Sequence, residues 1–288
     1  MNVGTIQEIW RYPVKSMRGE KLEAADAQKL YGIPGDRGWA IRDDEIGEIR
    51  NAKRIPEMLQ LAARYLEEPE GALTPPVEID LGNGETIRSD AEDINEVLQR
   101  RLNLPISLWP RQPVDNLDHY RRMEHLDDVK MREVMGLLPD EPLPSWFDTA
   151  SKETLDKVAE FVAPPGTYFD GAEMHLVSTA SLSTFSKLMP ESMIDARRFR
   201  PNIVLNSIAT DGYPEIEWCG KSLRIGSAVI KIAGPMVRCA MVTHPQEDIP
   251  KDPKIMRTLV RETEMNFGAS LSVIEPGSFQ IGDTVELI

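Results

Sequence analysis

Four short stretches of this 288-residue chain combine residue types that bind anions or metals. The first, YPVKS, carries Lys15 and Ser16 just after Pro13, whose ring fixes the backbone and turns the chain out of a strand. An ammonium, a hydroxyl and free backbone amides at such a turn suit the oxygens of a phosphate. The same letters are also typical of an exposed lysine in a loop.

The second stretch, GDRGW, places Asp36 and Arg37 between two glycines. Glycines on both sides favour a tight turn, in which the carboxylate of Asp36 orients the guanidinium of Arg37. A simple ion pair on the surface is the alternative interpretation.

The third stretch, DARRFRPNIVL, has three arginines in four positions leading into an apolar strand. Because side chains alternate along a strand, we expect Arg198 and Arg200 to share one face while Phe199 packs inward. Asn202 offers an amide on the same side as Arg200. Guanidinium groups bind phosphate through paired hydrogen bonds, so this stretch is a candidate anion site. A solvated basic surface is the alternative, and it applies least to Arg200.

The fourth stretch, GPMVRCAMVTHP, holds Cys239, one of only two cysteines. The neighbouring Arg238 favours a thiolate, and thiolates are ligands for soft metal centres. A small apolar residue in a barrel strand is the plain alternative. A Cys219–Cys239 disulfide is disfavoured, because two cysteines without an export signal indicate a reducing compartment.

Composition excludes several classes of function. The net charge of −14 repels nucleic acid and anionic membranes, and no apolar run of about 18 residues is present to span a bilayer. The sequence therefore predicts a cytoplasmic protein. It contains no GxGxxG, P-loop, GxSxG or HExxH motif, and its four histidines are scattered, which disfavours standard nucleotide and zinc chemistry.

Hydrophobic patterning predicts many short strands and few helices. The predicted strands are 5–14, 37–43, the hairpin 77–89, 106–110, 173–178, 201–206, 222–234, 238–244 and a closing pair within 270–288. The predicted helices are 89–103, capped by Ser89 or Asp90, then 151–162, 180–189 and 253–264. Residues 111–150 indicate a helix and a Pro-rich acidic connector, PDEPLPSWFD. This pattern favours a mainly β (α+β) fold, a barrel with peripheral helices.

Together these stretches resemble the MOSC superfamily. WRYPVKSMRGEKLEAADAQKLYGIPGDRGWAIRD is similar to its N-terminal β-barrel extension, and MHLVSTASL, RRFRPNIVL, VRCAMVTHP and FGASLSVIEPGSFQIGDTVEL are similar to the MOSC domain itself. The resemblance implies a smaller β-barrel-like domain over 1–115 and a MOSC β-barrel domain over 116–288. Residues 111–165 form a helical, Pro-rich connection between them.

The likeness is strongest to the group of mitochondrial amidoxime-reducing components and their bacterial relatives. It implies the molybdenum cofactor, with Cys239 as the catalytic metal ligand. The implied contacts to the phosphate and pterin are Lys15, Ser16, Arg37, Ser178, Thr179, Arg200, Asn202, Val237, Arg238 and Ser270. His244 stands where relatives carry an acidic residue, and His244 and Asp36 are the candidate proton donors.

The resemblance also implies a reaction, the reduction of N-hydroxylated small molecules. The electrons then come from a separate ferredoxin-, cytochrome- or flavin-type donor protein. Two alternatives remain open at this point. Cys239 could carry a persulfide in a sulfur or cofactor carrier, or the pocket could bind another phosphorylated ligand, such as pyridoxal phosphate on Lys15.

Overall fold

The computed structural model describes residues 1–125, 127–145 and 150–288. Positions 146–148 of the predicted Pro-rich connector lie outside the described residues. The strands are β1 (Asn2–Arg11), β2 (Glu20–Leu22), β3 (Ala24–Ala27), β4 (Trp39–Asp43), β5 (Glu48–Ile49), β6 (Ala62–Tyr65), β7 (Val77–Asp80), β8 (Thr86–Arg88), β9 (Ile106–Pro110), β10 (Met174–Ser178), β11 (Ile203–Ser207), β12 (Ser222–Ile225), β13 (Ala228–Val237), β14 (Asn266–Glu275), β15 (Gly277–Gln280) and β16 (Thr284–Leu287).

The helices surround these strands. They are α1 (Ile94–Leu102), α2 (Leu117–Tyr120), α3 (Asp128–Met135), α4 (Lys152–Glu160), α5 (Thr179–Leu188), α6 (Ala196–Phe199), α7 (Pro214–Glu217) and α8 (Lys254–Thr263). Two 3-10 helices, Pro56–Gln60 and Ala240–Thr243, complete the described elements. No helix among the described residues is long and apolar enough to cross a bilayer.

A closed β-barrel occupies the centre of the molecule. Its strands follow the order β11, β10, β14, β13, β12, β16 and β1, and β1 closes the barrel by pairing with β11 as well as β16. The pairing of β10 with β11 is parallel, whereas the other barrel pairs are antiparallel. Inward apolar side chains such as Ile6, Leu205 and Ile230 fill the interior and drive closure. The predicted mainly β fold with peripheral helices is confirmed.

A second apolar core lies under two three-stranded sheets. One sheet has the order β5-β4-β9 and the other β6-β7-β8. They enclose Ile41, Leu59, Ile79 and Leu98, the last of these from α1. This core forms the N-terminal barrel-like unit. Since β1 belongs to the central barrel, the first strand of the chain serves the C-terminal unit, and the division into 1–115 and 116–288 stays a prediction.

A third core joins the barrel to the helices. The rings of Phe199 and Phe267 stack with centroids 4.0 Å apart, and α8 adds Ile255, Met256 and Leu259 at the spacing of an amphipathic helix. Partly buried Cys239 packs against both this core and the N-terminal one. The cysteine therefore lies where two structural units meet.

Two predictions about local structure are wrong. No strand forms over the predicted range 238–244, because β13 pairs with β14 only as far as Val237, which lies opposite Asn266. Without a partner strand the chain enters the 3-10 helix Ala240–Thr243. The predicted helix 89–103 starts at Ile94, because the Ser89 hydroxyl accepts a hydrogen bond from Val77 N instead of capping a helix.

The prediction that Arg198 and Arg200 share a strand face is also wrong. Asp195 caps the helical turn α6 by accepting from the amide of Arg197, and Arg200 then adopts φ 53°. Arg198 points away and donates to the carbonyls of Val242 and Pro250. Only Arg200 is left to face the site.

Candidate functional site

A cavity of about 900 Å³ lies where the barrel, the N-terminal sheets and the connecting helices meet. It is large enough for a cofactor-sized ligand. The sequence-predicted residues that line it are Arg37, Arg200, Asn202, Val237, Arg238, Cys239 and Ser270. They come from four separate stretches of the chain, and the fold brings them to one wall.

Cys239 projects from the point where β13 gives way to the 3-10 helix Ala240–Thr243. Its backbone is extended, with φ −135° and ψ −177°, and its carbonyl accepts the first hydrogen bond of that turn from Val242. The thiol is free, half-buried and lines the cavity. Cys219, the other cysteine, is also free and packs against the barrel core instead. The arrangement leaves one accessible sulfur in the cavity wall.

Arg238 holds the backbone around this cysteine. Its Nε donates to the carbonyl of Phe267 at 2.8 Å and its Nη1 to that of Phe199 at 3.0 Å. Its Nη2 donates to His175. Burial lowers the pKa of Arg238 to about 9, which the nearby Cys239 opposes. Because these contacts occupy most of the guanidinium donors of Arg238, they also fix the position of the adjacent Cys239.

His175 is the acceptor in this arrangement. Burial, followed by the charge of Arg238, lowers its pKa well below the usual value, so the ring is neutral. Gly268 lies directly beside it with φ +74°, and a Cβ at this position would collide with His175 Nε2 and with the carbonyl of Leu176. Only glycine allows this close packing of β14 against β10.

Arg37 and Arg200 share one aromatic support. Their guanidinium carbons lie 4.7 Å and 4.1 Å from the ring centroid of Tyr12. Asp36 is buried and accepts from Arg37, from the amide of Tyr12 and from Asn202 Nδ2 at 3.0 Å. Asp36 therefore orients Arg37, and it connects that arginine to Asn202.

Backbone strain accompanies this arrangement. Arg37 and Arg200 have φ values of 49° and 53°, in the left-handed region that costs a non-glycine residue of order 1–3 kcal/mol. Ser16 shares the feature at φ 69°. The fold thus holds three sequence-predicted residues in left-handed backbone at some cost in stability.

Arg200 retains unused hydrogen-bonding capacity. Its Nη1 donates to the carbonyl of Met17 at 2.7 Å, whereas its Nη2 is buried and has no partner among the described residues. Burial, and then repulsion from Arg37, lowers the pKa of Arg200 to about 10. A buried donor without an acceptor is costly, and an anionic ligand would satisfy it. The donor set thus fits an anionic group that also brings a metal to the Cys239 sulfur.

Lys15 and Ser16 are placed differently from the other predicted residues. Both are buried, and neither lines the cavity. The ammonium of Lys15 donates to the carbonyl of Tyr168 at 2.8 Å and to Asp170 at 3.0 Å, and Asp170 does line the cavity. Burial lowers the pKa of Lys15, opposed by Asp170. Lys15 therefore influences the cavity only through Asp170. An aldimine on Lys15 would require its bonds to Tyr168 and Asp170 to break.

Ser178 and Thr179 have partners within the barrel. Ser178 is fully buried, caps α5 and donates to Glu215 at 2.6 Å. Thr179 Oγ1 accepts from the amide of Ser207. Neither lines the cavity, so their contact to a ligand stays a prediction. Ser270 does line it, with its hydroxyl bound to the carbonyl of Gly234.

The two candidate proton donors lie outside the cavity lining. Asp36 is fully engaged, as described above. His244 has a buried Nε2 without a partner among the described residues, and burial, followed by Lys251, lowers its pKa. The titratable carboxyl groups that do line the cavity are Glu48 and Asp170.

Several basic residues of the cavity were missed from the sequence. They are Arg50, Lys53, Arg54, Arg122 and Lys157. Three of them belong to the short stretch RNAKR, a concentration of positive charge in a chain of net charge −14. This cluster of basic residues in an acidic chain could have predicted an anion-binding role for RNAKR. No feature of the neighbouring sequence distinguishes Arg122 or Lys157.

This fold and this cavity define a MOSC protein. The chain matches the MOSC N-terminal beta barrel domain over residues 3–101 and the MOSC domain over residues 165–286, and it belongs to that family. It is 23% identical to mitochondrial amidoxime-reducing component 1 of Homo sapiens over 313 aligned positions, covering 99% of this chain and 83% of the human protein.

Two further relatives widen the comparison. Mitochondrial amidoxime reducing component 2 of Rattus norvegicus is 24% identical, covering 98% of this chain and 83% of the rat protein. Molybdenum cofactor sulfurase of Oryza sativa subsp. japonica is 23% identical over 84% of this chain but only 28% of the rice protein. Among solved structures, YUAD protein from Bacillus subtilis aligns with a TM-score of 0.47 at 12% identity, covering 99% of this chain and 95% of that one.

Proposed function

We propose that this protein binds the molybdenum cofactor in the cavity and reduces N-hydroxylated small molecules there. The observation that carries the proposal is the free thiol of Cys239 in a cavity lined by arginines and lysines, within an acidic chain. A global charge of −14 repels anions, so this local concentration of cations has a specific purpose. The relatives named for amidoxime reduction support the same reaction.

Different side chains bind different parts of the cofactor. The free Nη2 of Arg200 and the guanidinium of Arg37, oriented by Asp36, bind its anionic tail. Cys239 supplies the sulfur ligand, at a position fixed by the contacts of Arg238 to Phe199 and Phe267. When bound, the cofactor supplies two-electron redox chemistry at molybdenum.

The overall reaction breaks the N–O bond of the substrate. Two electrons and two protons enter, the nitrogen keeps its carbon partner, and the oxygen leaves as water. The apolar side chains of Met135 and Met241, from the clusters against which Cys239 packs, limit water at the sulfur end of the cavity. A separate ferredoxin-, cytochrome- or flavin-type protein delivers the electrons, and the names of the relatives as components agree with such a division. Location in the cytoplasm remains a prediction.

The test compares Cys239→Ser with Cys219→Ser, both produced in a host that makes the cofactor. We expect near-stoichiometric molybdenum and pterin in the wild type and in Cys219→Ser, and a loss of molybdenum of at least tenfold in Cys239→Ser. Benzamidoxime reduction with an artificial electron donor follows the metal content. Equal molybdenum in both variants, or a loaded wild type that leaves benzamidoxime unreduced, would overturn the proposal.

A second candidate function is a sulfur or cofactor carrier with a persulfide on Cys239. The half-buried, unpaired thiol favours it, as does the relative named molybdenum cofactor sulfurase. Incubation with a cysteine desulfurase and cysteine, followed by intact-mass measurement, distinguishes the two. A sulfane adduct of one sulfur atom on Cys239, in protein without molybdenum, supports the carrier.

A further inference from the structure

Besides Arg200 and Arg238, the cavity is lined by two more cations, Lys53 and Arg122, that form no ion pair with the described residues. Lys53 lies between β5 and the 3-10 helix Pro56–Gln60, and Arg122 lies between α2 and α3. Both line the cavity. Neither forms an ion pair within 4.0 Å with any carboxylate of the described residues. The neighbouring Arg50 and Arg54 differ, since they pair with Asp43 and Glu124.

The ammonium of Lys53 makes no hydrogen bond to the described part of the chain. Lys53 lines the same cavity as Cys239 and Asp170. Its ammonium group carries three donors, and none of them has an acceptor among the described residues.

Arg122 is held rigidly but not neutralised. Its Nε donates to the carbonyl of Val158 at 3.3 Å and its Nη2 to that of Phe161 at 3.1 Å. Burial lowers its pKa, opposed by Glu48. Backbone carbonyls orient the guanidinium without cancelling its charge, and its Nη1 is left for a ligand.

Lys53 and Arg122 line the same cavity. The two acids of its lining are already engaged: Asp170 pairs with Lys15, and Glu48 accepts from the amides of Met123 and Glu124. Two cations of one cavity without an ion pair to the described residues favour an anionic ligand, which would reduce the repulsion between them.

The two pairs of cations come from different parts of the chain. Arg37 and Arg200 are anchored on Tyr12, whereas Lys53 and Arg122 come from the N-terminal unit and the connecting region. An apolar wall adjoins the pair. It consists of Met131, Val134, Val158 and Phe161.

We propose that Lys53 and Arg122 bind a carboxylate on the substrate, and that the substrate is an N-hydroxylated compound with an apolar body and an acidic group. This inference rests on the proposed function. The carboxylate accepts from the Lys53 ammonium and the Arg122 guanidinium, while the body of the substrate lies against the apolar wall. The N–O group then extends toward Cys239.

The kinetic test uses cofactor-loaded protein and two matched substrates, 4-carboxybenzamidoxime and benzamidoxime. We expect the wild type to prefer the carboxylated substrate by about tenfold or more in kcat/KM, through KM, as is typical of a charged hydrogen bond. Lys53→Gln and Arg122→Gln each lose most of that preference, and Lys53→Arg restores it. Lys157→Gln is the matched control, because Lys157 also lines the cavity but pairs with Glu153 at 2.7 Å.

A binding measurement separates this inference from the proposed function. Calorimetry with benzoate and benzamide on the same loaded proteins should show benzoate binding about tenfold tighter to the wild type and to Lys157→Gln, and not to Lys53→Gln. If neither amidoxime is reduced, the proposed function fails, and the benzoate result alone decides the anion site.

Two results would overturn the inference. One is an unchanged preference for the carboxylate, in binding or in KM, after Lys53→Gln, a change that removes no hydrogen bond or ion pair to the described residues. The other is a loss of molybdenum in Lys53→Gln and Arg122→Gln equal to that in Cys239→Ser, which would assign both cations to the cofactor.

Discussion

The guanidinium of Arg200 lies over the ring of Tyr12, with its central carbon 4.1 Å from the ring centroid. Tyr12 is nearly fully buried, and its hydroxyl donates to the carbonyl of Pro201 at 3.1 Å. Each desolvated cation–π contact contributes on the order of 1–2 kcal/mol. One aromatic ring just after β1 thus positions the two arginines that are proposed to bind the cofactor, more than 200 residues before the candidate sulfur ligand Cys239.

Two substitutions of Tyr12 separate the role of its ring under the arginines from the role of its hydroxyl. Tyr12→Leu removes the support for Arg37 and Arg200. We expect unfolding free energy to fall by about 2–4 kcal/mol, as for loss of a buried aromatic, and molybdenum occupancy to fall at least fivefold. Tyr12→Phe keeps the ring and loses only the bond to Pro201, so its occupancy should stay near that of the wild type. Urea unfolding and metal analysis measure both, and equal occupancy in Tyr12→Leu would contradict the role in binding.

Arg200→Gln should act on cofactor retention more than on folding. The change removes the unsatisfied buried Nη2, which is favourable, together with the hydrogen bond to Met17 and the contact with Tyr12, which is unfavourable. These effects on stability partly cancel, whereas the proposed anion contact is lost. We expect at least a tenfold faster loss of molybdenum during dialysis. Arg197→Gln is the control, since Arg197 binds Asp195 and Asp248 on the surface away from the cavity. The same rate of loss in both variants would remove Arg200 from the site.

Gly268→Ala tests the packing behind Cys239. An added methyl group would collide with His175 and Leu176, and would displace the acceptor that holds Arg238. We expect a loss of about 2–4 kcal/mol in unfolding free energy together with reduced molybdenum content. Gly282→Ala shares the positive φ but has open space around it, and should lose only about 1 kcal/mol with full occupancy. Indistinguishable variants would show that backbone strain alone accounts for the effect.

The buried His119 should make the stability of the protein depend on pH. This side chain is buried, and its Nε2 lies 2.7 Å from the hydroxyl of Tyr168. Burial, followed by the charge of Arg42, lowers its pKa to about 4 in the folded protein. The unfolded chain takes up a proton near pH 6.5, so stability falls as pH drops from about 6.5 to about 4, by up to about 3 kcal/mol.

His119→Gln tests this slope. The variant should be less stable than the wild type at pH 7. Its unfolding free energy, measured by urea titration, should also fall less steeply between pH 6.5 and 4, by the slope that the uptake of about one proton contributes. The exposed His125 provides the control, because His125→Gln should keep the wild-type slope. A slope unchanged by His119→Gln would show that the ring is already charged in the folded protein.

The sequence predicted the class of fold and part of the cavity for a physical reason. Periodicity follows from burial of one strand face, so strands such as 106–110 and 173–178 were located nearly to the residue. Cys239, Arg37 and Arg200 were found because cysteine is rare here and arginines beside Gly or Pro are conspicuous in an acidic chain. The structure places all three in one cavity.

What the sequence could not predict depends on long-range partners. The strand expected at 238–244 ends because β14 offers no residue opposite it, which is a property of the sheet and not of the segment. Arg198 and Arg200 diverge because Asp195 caps a turn between strands. Lys53 and Arg122 stand out because neither forms an ion pair with the described residues, although both line the cavity, and no local sequence pattern indicates such an absence.

The closure of the barrel by β1 has a consequence for the timing of assembly. Strand β1 pairs with both β11 and β16, so its pairing is complete only after the strand that ends at Leu287 has been synthesised. Contacts that distant in sequence form late and slowly. The candidate cofactor site is accordingly completed late in folding, and the apolar face of β1 stays uncovered until the barrel closes.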